Sequence, residues 1–139
     1  MVQEIKEIIS AAEKVGKKFP LEFAVLFGSR ARGDYLKNSD FDILFVSKRF
    51  PKDIFERLKQ VQDLLPNNVE PICYTLDEFE ENLKGYNVIV WEALRDGKPL
   101  LGANRFERYT LRFEEAKRKK EIIVSEAIRF VKEPSVIFG

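Results

Sequence analysis

The chain has 139 residues, a length that suits one domain with a single hydrophobic core. Hydrophobic residues make up 45% of it, and the formal net charge of +1 argues against a strongly basic nucleic-acid-binding protein. The sequence has no histidine and one cysteine, Cys73, which excludes a Ser-His-Asp triad, a histidine zinc site and an internal disulfide. Any catalysis must therefore use carboxylates, hydroxyls, Lys, Arg or a hard metal ion.

The first third of the chain predicts two helices and two strands. Apolar residues recur at helical spacing over residues 2–18, which predicts an amphipathic helix. The apolar run 22–27 is closed by a glycine and predicts a buried strand, and the run 41–46 predicts a second one. Between the two strands, residues 29–35 predict a short helix or turn that is broken at Gly33.

The middle of the chain continues this alternation. Pro51 is expected in the first turn of a helix, whose apolar stripe would be formed by Ile54, Leu58, Val61 and Leu65. A third strand is predicted over residues 69–74, where Pro71 favours a position at the edge of the sheet. The cysteine within this strand is interpreted as a small buried residue.

Two further helices and a short strand follow. Thr75-Leu76-Asp77-Glu78 has the form of a capping box, which predicts a helix that ends at Gly85. Residues 88–96 predict another short helix, and residues 98–102 predict a short edge strand.

The C-terminal part is predicted to form one long charged helix over residues 104–131. Its apolar anchors would be Phe106, Tyr109, Phe113, Ile122, Ile123 and Val131. The basic run 117–120 is flanked by glutamates, so a solvated helix face is favoured over a nucleic-acid interface.

The pattern as a whole predicts an α/β fold, with a small mixed sheet and helices packed on it. We expect one domain over residues 1–102 and a helical extension over residues 103–139 that packs on the same domain or on a partner. No apolar run approaches the length of a membrane span and the first residues do not resemble a signal peptide, so a cytoplasmic protein is expected.

Acidic residues stand where a buried strand begins. Asp40 and Asp42 lie two residues apart, so their side chains are predicted to point to the same side of the strand. Glu70 is the only acid in the run 69–74 and is the candidate third carboxylate. Such a set could hold two Mg²⁺ ions against a triphosphate, with Glu70 as metal ligand or general base. The alternative is three carboxylates in solvent at strand ends, and Asp34 is interpreted as a turn or salt-bridge residue.

Gly28 and Ser29 stand between a strand and the start of a helix, where backbone N–H groups can approach a phosphate. Ser29 adds a hydroxyl donor. Arg30 and Arg32 do not share a helix face, so only one of them is expected to contact a triphosphate, and a solvated surface is the alternative for both. Ser39 is interpreted as a residue that shapes the turn before the second strand.

Gly28-Ser29, then ten residues, then Asp40-Phe41-Asp42 resembles the signature of the DNA polymerase β-like nucleotidyltransferase superfamily. The stretch GSRARGDYLKNSDFDILFV resembles the minimal nucleotidyltransferase branch, and the resemblance covers roughly the first hundred residues, including DGKPLLG. It implies an enzyme that transfers a nucleoside monophosphate, AMP from ATP above all, to a hydroxyl acceptor with magnesium. By position it implies that Gly28 and Ser29 bind the triphosphate and that Asp40 and Asp42 hold metal, with Glu70 as third carboxylate.

The resemblance also implies a protein partner. Many members of this branch are antitoxins paired with a HEPN-domain ribonuclease toxin, and some add AMP to a tyrosine of that toxin. Larger relatives enclose the acceptor with a second helical domain that this chain is too short to contain, so a second copy or a separate protein is expected to complete the site. Two other hypotheses compete with the enzyme: an antitoxin that acts by binding alone, and a nucleic-acid-binding role for the C-terminal helix.

Overall fold

A computed structural model describes residues 2–85 and 87–118 of the chain. Within these residues, helices and strands follow one another as α1 (Val2–Lys18), β1 (Phe23–Phe27), α2 (Ser29–Arg32), β2 (Phe41–Val46), α3 (Ile54–Gln62), β3 (Val69–Tyr74), α4 (Leu76–Lys84), α5 (Val88–Asp96), β4 (Lys98–Leu101) and α6 (Ala103–Arg118). The strands form one sheet in the order β3-β2-β1-β4. β1 pairs antiparallel with β2 and β4, whereas β2 and β3 are parallel, so the predicted small mixed sheet is confirmed.

The two faces of the sheet carry separate hydrophobic clusters, because successive strand residues point to opposite sides. One face of β1 and β2, which includes Val25 and Leu44, packs against α4, α5 and α6. The opposite face, which includes Leu26 and Ile43, packs against α1 and α3. Cys73 lies in the second cluster, and burial raises the pKa of its thiol to about 12, in agreement with its interpretation as a small buried residue.

The ends of the sheet agree with the sequence-based predictions. β3 is an edge strand, as Pro71 indicates, and β4 forms the other edge. The predicted capping box is present at the start of α4: the backbone N–H of Glu78 donates to Thr75 Oγ1 at 3.2 Å, and that of Thr75 donates to Glu78 Oε1 at 2.8 Å. Helix α4 then ends at Gly85.

The prediction for α3 was wrong in two details. The helix begins at Ile54 after an N-cap, Asp53, whose carboxylate accepts the Glu56 N–H at 3.0 Å, so Pro51 lies outside it. Ile54 is 63% exposed instead of buried, and Arg57 takes the inward position with 1% exposure. The sequence did not predict a buried arginine there, because the spacing of apolar residues identifies only apolar inward positions. It contains no information on groups elsewhere in the chain that can pair with a buried charge.

Arg57 is tolerated in the core because its guanidinium finds a partner for every donor. It donates to the Pro51, Lys52 and Cys73 carbonyls at 2.8, 2.9 and 3.3 Å, and to both carboxylate oxygens of Glu78. Arginine has five N–H donors in a fixed plane, so this set leaves none unsatisfied. The ion pair fastens α3 to the start of α4 across the end of β3.

The last described helix, α6, covers the first part of the predicted long helix. Phe106 and Phe113 are buried against β1 and α5, as anchors should be, and Tyr109 packs beside them. The predicted anchors Ile122, Ile123 and Val131, and the second half of the basic run 117–120, lie outside the described residues. The division of the chain at residue 102 stays a prediction. Over residues 2–85 and 87–118, none of the helices has the length and apolar character to cross a bilayer.

Candidate active site

The register of the sheet places Asp42 between two other predicted site elements. Between the antiparallel strands β1 and β2, Asp42 is opposite Phe27, the residue before Gly28. Between the parallel strands β2 and β3, Asp42 is beside Glu70. Adjacent strands lie about 4.8 Å apart, so these residues are direct neighbours although they are far apart in sequence. Asp42 and Glu70 are on the face that carries α4, α5 and α6, because Leu44, two residues on, is buried in that cluster.

Gly28 is held tightly against Asp42. Its backbone has φ 72° and ψ −157°, a conformation that is essentially restricted to glycine. A Cβ atom added here would lie 2.5 Å from Asp42 Oδ2 and 3.4 Å from its Cγ. The bend after β1 therefore depends on a residue without a side chain, and it brings the backbone at the start of α2 next to a carboxylate.

The electrostatics around Asp42 are those of a cluster of like charges. Burial raises the pKa of Asp42 above its ordinary value, and Glu70, Asp40 and Glu92 raise it further. Arg32 is the cation that lowers it, but it does not reverse the net shift. The ionised form of Asp42 is therefore disfavoured here, and an added positive charge would stabilise it.

The three predicted metal ligands are only partly compensated, by the charge of Arg32 on Asp42. Within the described part of the chain, Asp40, Asp42 and Glu70 have no hydrogen bond or ion pair from a side chain, and Asp40 and Glu70 are exposed while Asp42 is half-buried. Carboxylate oxygens are the ligands that Mg²⁺ prefers, so their chemistry fits this ion. In their present positions, however, no three acidic or cysteine side chains of residues 2–85 and 87–118 form a metal-holding group.

Arg30 has a different place from the one predicted for a nucleotide ligand. It is 7% exposed, and its guanidinium lies 4.0 Å from the ring centre of Tyr35 and 4.4 Å from that of Phe41. Its Nε and Nη2 donate to the Ser39 carbonyl at 3.1 and 2.9 Å, and Nη2 also reaches the Lys37 carbonyl. Arg30 thus fastens the loop that leads into Asp40, and this geometry gives no support to its predicted contact with a triphosphate.

Arg32 is the arginine that faces the carboxylates. Its Nε donates to Asp34 Oδ2 at 3.1 Å, which agrees with the salt bridge predicted for Asp34, and its Nη1 lies 3.8 Å from Glu92 Oε2. The hydrogen bond to Asp34 raises the pKa of Arg32. Its side chain is one-third exposed, so it can contact a bound anion from the side of Asp42.

Sequence reasoning missed Glu92. This residue lies on α5, and its charge acts on both Asp42 and Arg32. One signal was available: Glu92 is the only charged residue in the stretch VIVWEAL, with which α5 begins. That signal does not say which part of the sheet the helix covers, so only the tertiary structure connects Glu92 to the site.

The two serines of this region have local roles in the structure. Ser39 Oγ accepts the Leu36 N–H at 3.0 Å and shapes the turn before β2, as predicted. Ser29 is half-buried at the start of α2, and its carbonyl accepts the Gly33 N–H at 2.8 Å. Its hydroxyl stays a predicted ligand of the triphosphate.

The comparison with known families decides the class of the protein. Residues 8–130 match the family described as "Nucleotidyltransferase domain". The chain belongs to this family. The match contains every candidate site residue, and it confirms the predicted enzyme class, a nucleotidyltransferase.

Individual relatives agree with this assignment. A protein of Methanocaldococcus jannaschii named "Putative protein adenylyltransferase MJ1305" is 30% identical over 111 residues, which are 73% of this chain and 74% of the relative. The crystal structure of a "putative nucleotidyltransferase" from Sulfolobus solfataricus has 39% sequence identity and a TM-score of 0.51, over 58% of this chain and 74% of that one.

Two solved toxin-antitoxin structures share the fold. One is described as a toxin-antitoxin with AMP-PNP and the other as a mutant of the toxin-antitoxin MntA-HpeT. Their sequences are 18% and 16% identical to this chain. Each match covers 80% of this chain and 87% of the other chain, with a TM-score of 0.54. At this identity they confirm the predicted nucleotidyltransferase fold and nothing finer.

Proposed function

We propose that this nucleotidyltransferase moves AMP from ATP to a hydroxyl of a partner protein, a tyrosine of a HEPN-domain toxin, and so acts as an antitoxin. The observation that carries the proposal is the position of Asp42. Its carboxylate lies against Gly28 on one side and beside Glu70 on the other, with no internal cation strong enough to balance the cluster. A site of this kind favours a ligand that brings its own positive charge, as a magnesium-nucleotide complex does.

Each residue of the site has a proposed task. Asp40, Asp42 and Glu70 would hold Mg²⁺, which when bound neutralises the triphosphate and lowers the pKa of an attacking hydroxyl. Gly28 lets the triphosphate approach the backbone closely, and Ser29 donates a hydrogen bond to it. Glu70, exposed on the edge strand, is free to accept the proton of the acceptor hydroxyl.

Arg32 completes the site as its nearest cation. Its guanidinium already lies between two carboxylates, Asp34 and Glu92, and its charge reaches Asp42. A phosphate beside Asp42 would compete with these carboxylates for the same N–H donors, because guanidinium binds both groups in the same planar manner. We therefore assign triphosphate contact to Arg32 and loop positioning to Arg30.

The nature of the acceptor is supported by one relative and by the family resemblance. The name of the M. jannaschii relative specifies a protein as acceptor and an adenylyl group as the unit transferred. The resemblance to the minimal nucleotidyltransferase branch adds the HEPN toxin and its tyrosine.

The first test is calorimetric titration of ATP with and without Mg²⁺. We expect magnesium-dependent binding to the wild type and its loss in the Asp40→Asn/Asp42→Asn variant. The matched control is Asp63→Asn/Asp77→Asn, which removes the same charge from exposed positions just after α3 and in the first turn of α4. Equal binding by the site variant and the control variant would refute the metal-nucleotide site.

A labelling experiment identifies the group that is transferred. Incubation with the HEPN protein and ATP labelled at the α-phosphate should label that protein, and Asp42→Asn should abolish the label without a change in thermal stability. Label supplied from the γ-phosphate instead would identify a phosphoryl transfer and contradict the proposal.

Neutralisation by binding alone is the second candidate function. It is favoured by the finding that, among the described residues, no three acidic side chains are close enough together to hold a metal ion. It predicts that the Asp40→Asn/Asp42→Asn variant protects cells from the toxin at the same dose as the wild type. The enzymatic proposal predicts that this protection is lost.

A further inference from the structure

A basic groove lies at the opposite end of the sheet from the candidate active site. It has a volume of about 400 Å³, and the residues that line it include Glu22, Lys48, Arg105, Arg108, Tyr109 and Arg112. Glu22 and Phe23 are at the beginning of β1, whereas Gly28 follows its end. Four residue steps of an antiparallel strand span about 14 Å, so the groove and the acidic site are distinct surfaces.

The groove has an excess of positive charge. Four cationic side chains line it, against one carboxylate, although the whole protein carries a formal net charge of only +1. Glu22 is shared by two of these cations, with Arg105 Nη1 at 2.7 Å and Lys48 Nζ at 3.6 Å. In the described part of the chain Arg108 has no ion-pair partner, and Arg112 only lies over the Tyr109 ring at 5.6 Å. The positive charge is therefore available to an external anion.

The three arginines are regularly spaced. Arg105, Arg108 and Arg112 stand at positions i, i+3 and i+7 of α6, which places them along one face of the helix. They extend over about 10 Å of helix axis. Carboxylates at the same spacing on a second helix would have a matching separation, so about two turns of an acidic helix fit this row.

Two observations disfavour a nucleic acid as the ligand. The Tyr109 ring is not available to stack on a base, because it packs against Phe79 at 5.0 Å and Phe23 at 6.0 Å and lies under Arg112. The positive row is short and one helix face wide, which suits a short acidic segment.

We propose that this basic groove docks an acidic helical segment of a partner protein. The interaction is separate from the nucleotidyl transfer chemistry: Arg108 and Arg112 supply the attraction, and the Glu22-bound Arg105 and Lys48 present donors whose positions are already fixed. Because the charges are exposed, their main effects are a fast, oriented encounter and a strong dependence on salt.

The test uses the full-length protein and a fluorescein-labelled helical peptide with glutamates at positions i, i+3 and i+7. Fluorescence anisotropy should show binding at about 20 mM salt that weakens as the Debye length shortens toward about 8 Å at physiological salt. A peptide with glutamines in place of the glutamates should not bind. The Arg108→Glu/Arg112→Glu variant should bind the acidic peptide at least about tenfold more weakly.

The control is Lys14→Glu/Lys59→Glu, which makes the same change in net charge on α1 and α3, beyond the other face of the sheet. If the control weakens peptide binding as much as the groove variant does, the proposal is overturned in favour of a general charge effect. Absence of peptide binding at low salt would also overturn it. Arg108→Gln/Arg112→Gln, which adds no like charges to the helix, should show a smaller loss of binding if the reversed variant proves unstable.

A single-stranded RNA oligonucleotide is the competing probe. If it binds more tightly than the acidic peptide, and if the groove variant abolishes that binding, the groove is a nucleic-acid site and the proposal fails. ATP binding is measured in the same variants and should be unchanged, because the groove lies a full strand length from Asp42. A loss of ATP binding in Arg108→Glu/Arg112→Glu would contradict the separation of the two surfaces.

Discussion

Replacement of Gly28 by alanine tests the close contact between the end of β1 and Asp42. Two costs are expected. The backbone conformation, with φ 72° and ψ −157°, is strained for any residue with a Cβ, which costs about 1–3 kcal/mol. The new methyl group would stand 2.5 Å from Asp42 Oδ2, so the carboxylate must leave its present rotamer at a further cost of about 0.5–1.5 kcal/mol.

Alanine substitutions at two other glycines distinguish the cost of backbone strain from the cost of the contact with Asp42. Gly33 also has a positive φ, 91°, but a Cβ there would meet nothing within 4 Å, so Gly33→Ala should lose only about 1–2 kcal/mol for the left-handed backbone. Gly85 has φ −88° and its nearest atom would be the Glu81 carbonyl oxygen at 3.6 Å. Gly85→Ala should be neutral or slightly stabilising, because it reduces the entropy of the unfolded chain.

Urea unfolding at pH 7 gives the three free energies of unfolding, and calorimetry gives ATP affinity in the presence of Mg²⁺. We expect Gly28→Ala to lose roughly 2–4 kcal/mol of stability and most of its ATP affinity, since both the backbone and Asp42 are displaced. Gly33→Ala should keep its ATP affinity. If Gly28→Ala and Gly33→Ala are equal in stability and in affinity, the contact with Asp42 is not a constraint and the reasoning is refuted.

Two further predictions concern carboxylates. Burial raises the pKa of Glu78, but hydrogen bonds from Arg57 and from the Thr75 N–H outweigh it and hold the pKa below its ordinary value of 4.5. The ion pair of Arg57 and Glu78 therefore stabilises the fold fully above pH 4.5, and this stabilisation is lost as the pH falls through the lowered pKa. In urea unfolding at pH 7, Glu78→Gln should lower the free energy of unfolding by about 1–3 kcal/mol, and the difference from the wild type should shrink in acid. A difference that stays the same at every pH would contradict this role of the pair. Glu92→Gln should lower the pKa of Asp42 in a carboxyl NMR titration, because one like charge is removed, whereas an unchanged pKa would show that α5 is farther from the site than the structure places it.

Local patterns were sufficient for the elements and for the central motif. The capping box at Thr75 and the glycine that ends α4 depend on contacts between near neighbours, so the sequence alone located them. The start of β2 at Phe41 was found in the same way, from an apolar run after a turn. The spacing from Gly28 to Asp42 was informative because it resembles the signature of a known nucleotidyltransferase superfamily, and that signature lies within one short segment of the chain.

Contacts between distant segments were decided only by the tertiary structure. Arg57 is buried because carbonyls from one loop and a carboxylate from the next helix converge on it, and no periodicity of apolar residues contains that information. The same applies to Glu92, which reaches Asp42 only because α5 packs on one particular face of the sheet. The sequence by itself determined which residue types could hold a metal and a phosphate. The fold decided which of them meet, since the pairing of strands and the packing of helices set distances that the order of residues along the chain does not.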